Sequence, residues 1–320
     1  MQLARRQFLA LGAAPFLTGS TFAQSDRPIR ILYGFPAGGG GDIGLRVIAQ
    51  QMTQLLGQSV VVDNKPGADA TIAAAEVVRS APDGNTLFFG SGNSLVAAPL
   101  LRGKPTVAYD PFKDFTPIGS LGNFTMVLLV APGLPVTTLA ELVAFVRARP
   151  GKLNYASGYS AARLAAIQML NQYKLDMQHV PYKGESQAHA DLMANRVELM
   201  FSTAASTRGF VADGKMRPLL VLSNNRSPVL PNVPTLKDTG AQITISPWAG
   251  LYGPANMSPA VVDRLNQALR AAMAASEARE RFNQIGFEPI PGTPAELVAI
   301  HRNEYEVFRK AVQEDGIKFD

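Results

Sequence analysis

Strand-like and helix-like segments alternate along most of this chain, and this order constrains its fold more than any other feature. The early part predicts a strand, a helix, a strand, a helix and a strand over 29–35, 42–56, 59–63, 71–80 and 86–90. The second strand is valine at positions 60–62, which is typical of a strand covered on both faces. Such alternation indicates parallel strands joined by crossover helices. We therefore expect an α/β fold.

A run of turn residues at 104–117 interrupts this order, and we place a first crossing into a second lobe near residue 124. Beyond it we predict strands at 126–131, 153–156, 177–181, 197–201 and 218–222, with helices at 138–148, 160–172 and 186–194. The proline-rich stretch 223–234 indicates the crossing back into the first lobe, and helices at 259–275 and 294–314 complete that lobe. We expect two lobes, each a mainly parallel sheet flanked by helices. Lobe 1 comprises residues 24–124 and 226–320, and residues 125–225 form the inserted lobe 2.

Residues 1–23 have the pattern of an export signal. Arg5 and Arg6 precede an apolar run from Phe8 to Leu17, and small residues stand near position 23. The arginine pair also resembles a twin-arginine signal, so the export route stays open. No later stretch reaches the roughly 20 apolar residues of a membrane span. We expect a protein exported to the periplasm.

Composition excludes several kinds of chemistry. The chain has no cysteine, which rules out disulfides and thiol catalysis. Its formal charge is +5, without any basic run, so we expect no nucleic-acid partner. The three histidines, His179, His189 and His301, lack the spacing of a zinc motif, and we expect the helix that carries His189 to face solvent. We predict no metal, no cofactor and no catalytic residue.

The turn between the first strand and the first helix predicts an anion site. Gly38 to Gly41 let backbone N–H groups approach a ligand, and the following helix adds the positive end of its dipole. We expect ligand contacts from Pro36, Ala37, Gly38 and Gly39, with Asp42 mainly as the N-cap of the helix.

The same turn supports a rival interpretation as a dinucleotide site. Gly39, Gly41 and Gly44 fit the pattern G-x-G-x-x-G, and Asp63 closes the next strand where a ribose would be held. The alternative is an exported oxidoreductase. Against it, four consecutive glycines satisfy many patterns by chance, and the chain shows no convincing acid or base for hydride transfer.

Small polar residues follow other strands and extend the predicted site. The loop after Ser157 offers a second anion cradle across the cleft from the glycine turn. Trp248, the only tryptophan, is expected to pack in the core or at a hinge. The candidates for ligand contact beyond the glycine turn are Ser91, Asn93, Ser157, Tyr159, Ser160, Tyr182, Lys183 and Ser202, with Thr203 and Ser206 as weaker ones.

A series of short blocks, in this order and spacing, resembles one known family over the whole mature chain. The blocks include Phe35-Pro36-Ala37-Gly38-Gly39, Asp63-Asn64-Lys65-Pro66-Gly67, Ala81-Pro82-Asp83-Gly84, His179-Val180-Pro181-Tyr182-Lys183-Gly184, Leu230-Pro231-Asn232-Val233-Pro234 and Trp248-Ala249-Gly250-Leu251. The chain is similar to the receptors of tripartite tricarboxylate transporters, the Bug-type periplasmic solute-binding proteins.

This resemblance implies a two-lobed, type II-like Venus flytrap fold that captures a small organic carboxylate without catalysis. It implies that Pro36–Gly39 and the loop after Ser157 hold the carboxylate through backbone groups and waters, and that a membrane permease receives it. The loop at 158–163 is shorter than in many relatives and lacks their histidine. Ligand identity therefore stays open between a dicarboxylate, an aromatic acid and an amino acid. Tyr33, Tyr159 and Tyr182 favour an aromatic or short dicarboxylic acid.

We expect a monomer. A capture protein that serves a sensor kinase instead of a permease remains an alternative, since it would bind the ligand in the same way.

Overall fold

The computed structural model describes residues 27–102, 107–182, 184–245 and 247–314. The predicted export signal at 1–23 and the candidate Lys183 lie outside these residues. The strands are β1 (Ile29–Tyr33), β2 (Val60–Asn64), β3 (Thr86–Ser91), β4 (Phe115–Phe124), β5 (Met126–Val130), β6 (Asn154–Ser157), β7 (Gln178–Pro181), β8 (Leu199–Thr203), β9 (Arg217–Val221), β10 (Trp248–Pro254) and β11 (Phe287–Pro289).

Helices cover both sheets. They are α1 (Gly40–Leu56), α2 (Thr71–Val78), α3 (Ala98–Leu101), α4 (Leu139–Arg147), α5 (Ser160–Tyr173), α6 (Glu185–Met193), α7 (Ala204–Ala212), α8 (Leu236–Thr239), α9 (Pro259–Ala274), α10 (Ser276–Ile285) and α11 (Pro294–Glu314). A π-helical turn at Asn93–Ala97 leads into α3. No helix within the described part of the chain is long and apolar enough to cross a membrane.

The strands form two separate sheets. The first has the order β11-β4-β10-β3-β1-β2, and the second has the order β7-β6-β8-β5-β9. β1 pairs in parallel with β2 and β3, and β6 pairs in parallel with β7 and β8. β10, β4, β11, β5 and β9 pair antiparallel with their neighbours. The α/β class is therefore confirmed, but both sheets are mixed and not mainly parallel.

The reason for the mixed pairing lies in two connections. β4 ends at Phe124 and β5 begins at Met126 in the other sheet, which leaves no room for a crossover helix. β10 returns from the second sheet and runs antiparallel between β3 and β4. Alternation in the sequence could not reveal either connection.

Hydrophobic burial explains why the predicted elements form. All five residues of β5 are buried, as a strand with helices on both faces requires. In α1, Leu45, Ile48 and Met52 face the first sheet and are at most 2% exposed; burying such a side chain stabilises the fold by about 1.5–3 kcal/mol. Gly57 ends α1 in the left-handed region, with φ of 62°, as a C-terminal glycine should.

Where sequence analysis predicted helices and strands, they begin within two residues of the predicted positions. The elements that were not predicted are β4, β10, β11, α3, α7, α8 and α10. β10 contains Gly250 and Gly253, which weaken a strand pattern but are required by packing. A Cβ at Gly250 would lie 2.4 Å from the side chain of Leu297, and one at Gly253 would lie 2.0 Å from Met257.

Candidate functional site

A cavity of about 710 Å³ lies between the two sheets. From the first sheet it is lined by the end of β1 with the glycine turn, by the end of β3, and by the start of β10. From the second sheet it is lined by the loop before α5 and by the first turns of α6 and α7. Its lining includes Tyr33, Phe35, Pro36–Gly41, Phe89, Ser91–Asn93, Tyr159, Glu185, His189, Thr203, Ser206, Trp248 and Glu304.

The glycine turn is held from behind by Asp42. The Asp42 carboxylate, 3% exposed, accepts hydrogen bonds from Gly38 N at 3.0 Å, from Asn64 Nδ2 at 2.9 Å and from two nitrogens of Arg46 at 3.0 Å. Burial alone would raise the pKa of Asp42, but the Arg46, Gly38 and Asn64 hydrogen bonds outweigh it and lower the pKa. The predicted N-cap role was wrong, because α1 begins two residues earlier and Gly39 is its N-cap. Asp42 instead fixes the glycine turn from within the first turn of α1, and it is absent from the described lining of the cavity.

On its other side the turn is open to the cavity. No atom lies within 4 Å of where a Cβ would stand on Gly38 or Gly39. The first hydrogen bond of α1 runs from Ile43 N to Gly39 O, so the N–H groups of Gly40 and Gly41 precede the helical ladder. These groups, with the dipole of α1, favour an anion at this end of the cavity.

Glu185 organises the opposite wall. Its carboxylate accepts hydrogen bonds from Ser202 Oγ at 2.8 Å, from Thr203 N at 2.9 Å, from Ser206 Oγ at 2.9 Å and from Thr203 Oγ1 at 3.2 Å. It is the first residue of α6 and faces the N-terminus of α7, so two helix dipoles favour its charge. Glu185 thus ties α6, β8 and α7 together beside the cavity.

His189 is buried beside this cluster and does not face solvent. It is 4% exposed, and its Nε2 lies 2.8 Å from Ser202 Oγ. Burial lowers its pKa, against the opposing effect of Glu185. The solvent-facing prediction was wrong because the helix turns this residue toward β8.

Three residues that line the cavity each have a buried polar atom without a partner. Ser91 Oγ, Trp248 Nε1 and Glu304 Oε2 are buried and have no hydrogen-bond partner among the described residues. An unsatisfied buried polar group costs about 1–3 kcal/mol, so such groups need an explanation.

The two sides of the cavity touch each other directly. Asn93 Oδ1 accepts a hydrogen bond from Ala161 N at 3.0 Å, and Ser160 Oγ donates to Asp69 at 3.1 Å. A Cβ on Gly40 would lie only 2.3 Å from the Cβ of Ala205 in α7. The structure therefore has a closed cleft.

The described lining of the cavity is uncharged apart from Glu185, Glu304 and any charge on His189. It contains no lysine and no arginine. Within the same described residues no group of three or more His, Asp or Glu side chains could hold a metal ion. Asp63, the ribose contact of the dinucleotide interpretation, instead forms an ion pair with Arg30 and is absent from the described lining.

Comparisons with known proteins agree with this geometry. The family model described as the tripartite tricarboxylate transporter family receptor matches residues 45–317. The chain belongs to this receptor family. The relative named UPF0065 protein in the tcbD-tcbE intergenic region, from Pseudomonas sp. strain P51, is 32% identical over 98% of this chain and 95% of its own length.

Solved structures of the family share the fold. The periplasmic binding protein BugD is 28% identical with a TM-score of 0.83, over 92% of this chain and 99% of that chain. MatC from Rhodopseudomonas palustris with bound malate is 29% identical with a TM-score of 0.81, over 89% and 99%. R. palustris Rpa4515 with adipate is 28% identical with a TM-score of 0.85, over 92% and 99%. The resemblance and the two-lobed periplasmic-binding-protein fold are confirmed, and membership implies a periplasmic location.

The receptor's structure brings seven of the predicted contact residues to the cavity. They are Pro36, Ala37, Gly38, Gly39, Ser91, Asn93 and Tyr159, and the weaker candidates Thr203 and Ser206 line it as well. Gly38 differs from expectation in one respect, since its N–H is already bound by Asp42.

Four other predicted residues are bound within the protein and are absent from the described lining. Ser157 Oγ lies 2.7 Å from His179 Nε2, and Tyr182 Oη donates to Asp191 at 2.7 Å. Ser160 pairs with Asp69, and Ser202 pairs with Glu185. Their part in ligand binding stays a prediction.

Sequence analysis missed Glu185 and Glu304 and gave Trp248 a packing role only. Trp248 is indeed buried, at 3% exposed, but it also lines the cavity. Glu304 carried one usable signal: His301, Glu304 and Phe308 share one face of α11, and His301 and Phe308 are buried. A glutamate on the core face of a helix indicates a functional group.

Proposed function

We propose that this receptor captures a small organic carboxylate between its two lobes and delivers it to the membrane subunits of a tripartite transporter. The observation that carries the proposal is the open glycine turn at the start of α1, which borders a closed cavity between the two sheets. The malate and adipate bound to two structural relatives support a carboxylate as the ligand.

Neutral donors are sufficient for useful affinity. A hydrogen bond to a charged group contributes about 1.5–3 kcal/mol, and it is stronger in a closed site that excludes water. Three or four such bonds with some apolar burial reach the roughly −8 kcal/mol of a micromolar complex. Tyr33, Phe35 and Phe89, whose rings pack at centroid distances of 5.0 and 5.5 Å, supply an apolar floor.

We assign the carboxylate to the turn at Pro36–Gly39 and the first N–H groups of α1, with Ser91, Asn93 and Tyr159 as further contacts. Asn93 and Ser160 join the two sides of the cleft and so favour the closed form. The closed form is then the shape that the membrane subunits recognise, since the ligand shifts the population toward it.

Further properties follow as proposals. Residues 1–23 direct export, and the receptor acts as a monomer that breaks no bond of its ligand. Residues 24–124 with 226–320 form one lobe and residues 125–225 the other.

A thermal-shift screen of organic acids tests the function. Malate, adipate, succinate and benzoate form the first panel. An acid at a hundred times its Kd stabilises the folded receptor by about 2.7 kcal/mol, which raises Tm by about 4 °C for a chain of this size. A panel in which no acid raises Tm, or a nucleotide that copurifies, would contradict the proposal.

Gly39 offers a matched pair of variants for the same test. Gly39 is the N-cap of α1 with φ of −75°, and a side chain there meets no atom within 4 Å. Gly39→Asp and Gly39→Asn both provide good caps, so both fold. Two like charges about 5 Å apart repel by about 3 kcal/mol at an effective dielectric constant of 20. We expect Gly39→Asp to bind the acid at least about a hundredfold more weakly than Gly39→Asn.

A further inference from the structure

Glu185 places a carboxylate in the wall of the cavity that the second sheet provides. It is part of the lining and is only partly buried. On the first sheet's side, a Cβ on Gly41 would lie 2.4 Å from the hydroxyl of Tyr33, and burial followed by the charge of Glu185 raises the pKa of Tyr33. Burial and Glu185 likewise raise the pKa of Tyr159 on the second sheet's side. The charge of Glu185 therefore acts on both walls of the cleft.

The Glu185 carboxylate lies close to the glycine turn across the cleft. It is bound to Thr203 and Ser206, and Ala205 between these two residues would meet a Cβ on Gly40 at 2.3 Å. The N-termini of α1 and α7 therefore abut. Consecutive Cα atoms are about 3.8 Å apart, so the carboxylate lies on the order of 8 Å from the first N–H groups of α1.

The donors on the second sheet's side are used within the protein. Glu185 accepts hydrogen bonds from Thr203 N and from the hydroxyl groups of Thr203 and Ser206. The N–H of Ala161, in the first turn of α5, donates to Asn93 Oδ1 at 3.0 Å. A helix N-terminus favours an anion, and at α7 that anion is the protein's own glutamate. The glycine turn at the start of α1 stays open to a ligand.

The described lining offers no cation to balance Glu185. It contains no lysine and no arginine, and Glu304 adds a further carboxyl group. Burial lowers the pKa of His189, which keeps its ring neutral near pH 7. At an effective dielectric constant of 20, two like charges about 8 Å apart repel by an energy that equals about thirtyfold in affinity. A positive charge at the same place gains a similar factor.

We propose that Glu185 determines the specificity of the cleft, because it fills the anion position at α7 with the protein's own carboxylate. The receptor then selects an acid that carries one carboxylate and one ammonium group, an amino acid, against a dicarboxylate. The glycine turn holds the carboxylate of the ligand, and the charge of Glu185 attracts its ammonium group. This inference rests on the proposed function, since the glycine turn must hold the first carboxylate.

Four acids with the same five-carbon chain test the selection by charge. They are pentanoate, glutarate, 2-aminopentanoate and 5-aminopentanoate, with Kd measured by calorimetry at pH 7. We expect the better of the two amino acids to bind the wild type at least about tenfold more tightly than glutarate, with pentanoate between them. A wild type that binds glutarate as tightly as either amino acid would overturn the proposal without any variant.

Glu185→Gln removes the charge and can keep the hydrogen bonds. The Oε2 atom of Glu185 contacts the hydroxyl groups of Thr203 and Ser206, which can accept as well as donate. The glutamine nitrogen can take this place while its oxygen accepts from Thr203 N. We expect the preference for the better amino acid over glutarate to fall by about thirtyfold or more.

Two further variants separate the charge from the fold. Asp213→Asn makes the same charge change at the far end of α7, where Asp213 is exposed, pairs with Lys215 at 3.0 Å and is absent from the described lining. It should leave the preference within about twofold of the wild type. Glu185→Asp keeps the charge and should keep the amino acid as the tighter ligand.

The variants also offer results that contradict the proposal. If Glu185 serves only to hold α6 and α7 together, Glu185→Gln weakens all four acids by the same factor or changes none of them. If the loss of any acidic residue is sufficient, Asp213→Asn shifts the preference as Glu185→Gln does. Either result would overturn the specificity role. Failure of the proposed function is distinguishable, because then none of the four acids binds the wild type or Glu185→Gln.

Discussion

Closure of the cleft can be tested at Gly40, the first residue of α1. A Cβ at this position would lie 2.3 Å from the Cβ of Ala205, on α7 at the other side of the cavity. Two carbon atoms in favourable contact are about 3.5–4.0 Å apart. Gly40→Ala is therefore incompatible with the closed cleft unless α1 and α7 separate by more than about 1 Å.

The cost falls on closure and not on folding. Overpacking of this kind costs about 1–3 kcal/mol. In the open form the added methyl meets solvent, and alanine is favoured over glycine in a helix by about 0.5–1 kcal/mol. We expect Gly40→Ala to weaken carboxylate binding by about 5- to 150-fold. The Tm of the ligand-free protein should not fall by more than about 2 °C.

A double-mutant cycle identifies the contact responsible. Ala205→Gly removes the methyl that collides, so Gly40→Ala with Ala205→Gly should regain an affinity within about threefold of Ala205→Gly alone. Gly209→Ala, on α7 with no atom within 4 Å of its added Cβ, is the control for helix substitution. Calorimetry gives the affinities, and small-angle scattering with saturating ligand reports closure. An affinity of Gly40→Ala equal to the wild type, or no recovery in the double variant, would refute the reasoning.

Three further predictions concern groups around the cavity. Tyr159→Phe removes a buried hydroxyl beside Glu185, so calorimetry should show about threefold to tenfold weaker binding, while Tm changes by no more than the loss of one hydrogen bond allows. Asp42→Asn replaces the charge that accepts from Arg46, Asn64 and Gly38 N, and urea unfolding should show a loss of about 1.5–3 kcal/mol. His301 has a pKa of about 4 because burial outweighs its hydrogen bond to Leu95 O. The fold favours the neutral ring, so the contribution of His301 to the free energy of unfolding is fully present above about pH 6.5 and falls by at most about 3 kcal/mol as the pH drops toward 4. Urea unfolding of His301→Gln should show a smaller loss over the same pH range.

Much of the fold could be predicted because most of its helices and strands are marked by local sequence patterns, such as caps and hydrophobic periodicity. Thr138 and Glu141, for example, form the reciprocal hydrogen bonds of a capping box at the start of α4. β10 gave no such signal, since its glycines interrupt the strand pattern, and the side chain that crowds Gly250 is Leu297 of the distant helix α11. Mixed pairing in the sheets depends on which strands meet, and such contacts have no local pattern.

The residues of the candidate site also fall into those that local sequence predicts and those that tertiary contacts position. The glycine turn could be predicted because its conformation and the helix after it are local. Ser157, Ser160, Tyr182 and Ser202 stand at strand ends as predicted, but their hydroxyl groups pair with side chains that come from elsewhere in the chain. Which hydroxyl group turns inward to a partner and which faces the cavity is decided by those tertiary contacts.

Strain and unsatisfied groups in this receptor concentrate around the cleft. Ala68, Asp69 and Ala70 are three consecutive residues with φ of 47°, 55° and 69°, a conformation that costs about 1–2 kcal/mol for each L-residue. The same segment presents Asp69 to Arg102 at 2.8 Å and to Ser160 across the cleft at 3.1 Å. Because Ser160 comes from the other side, opening breaks its bond to Asp69 while the Arg102 pair can persist. The strained turn thus places a carboxylate where it bonds Ser160 across the cleft.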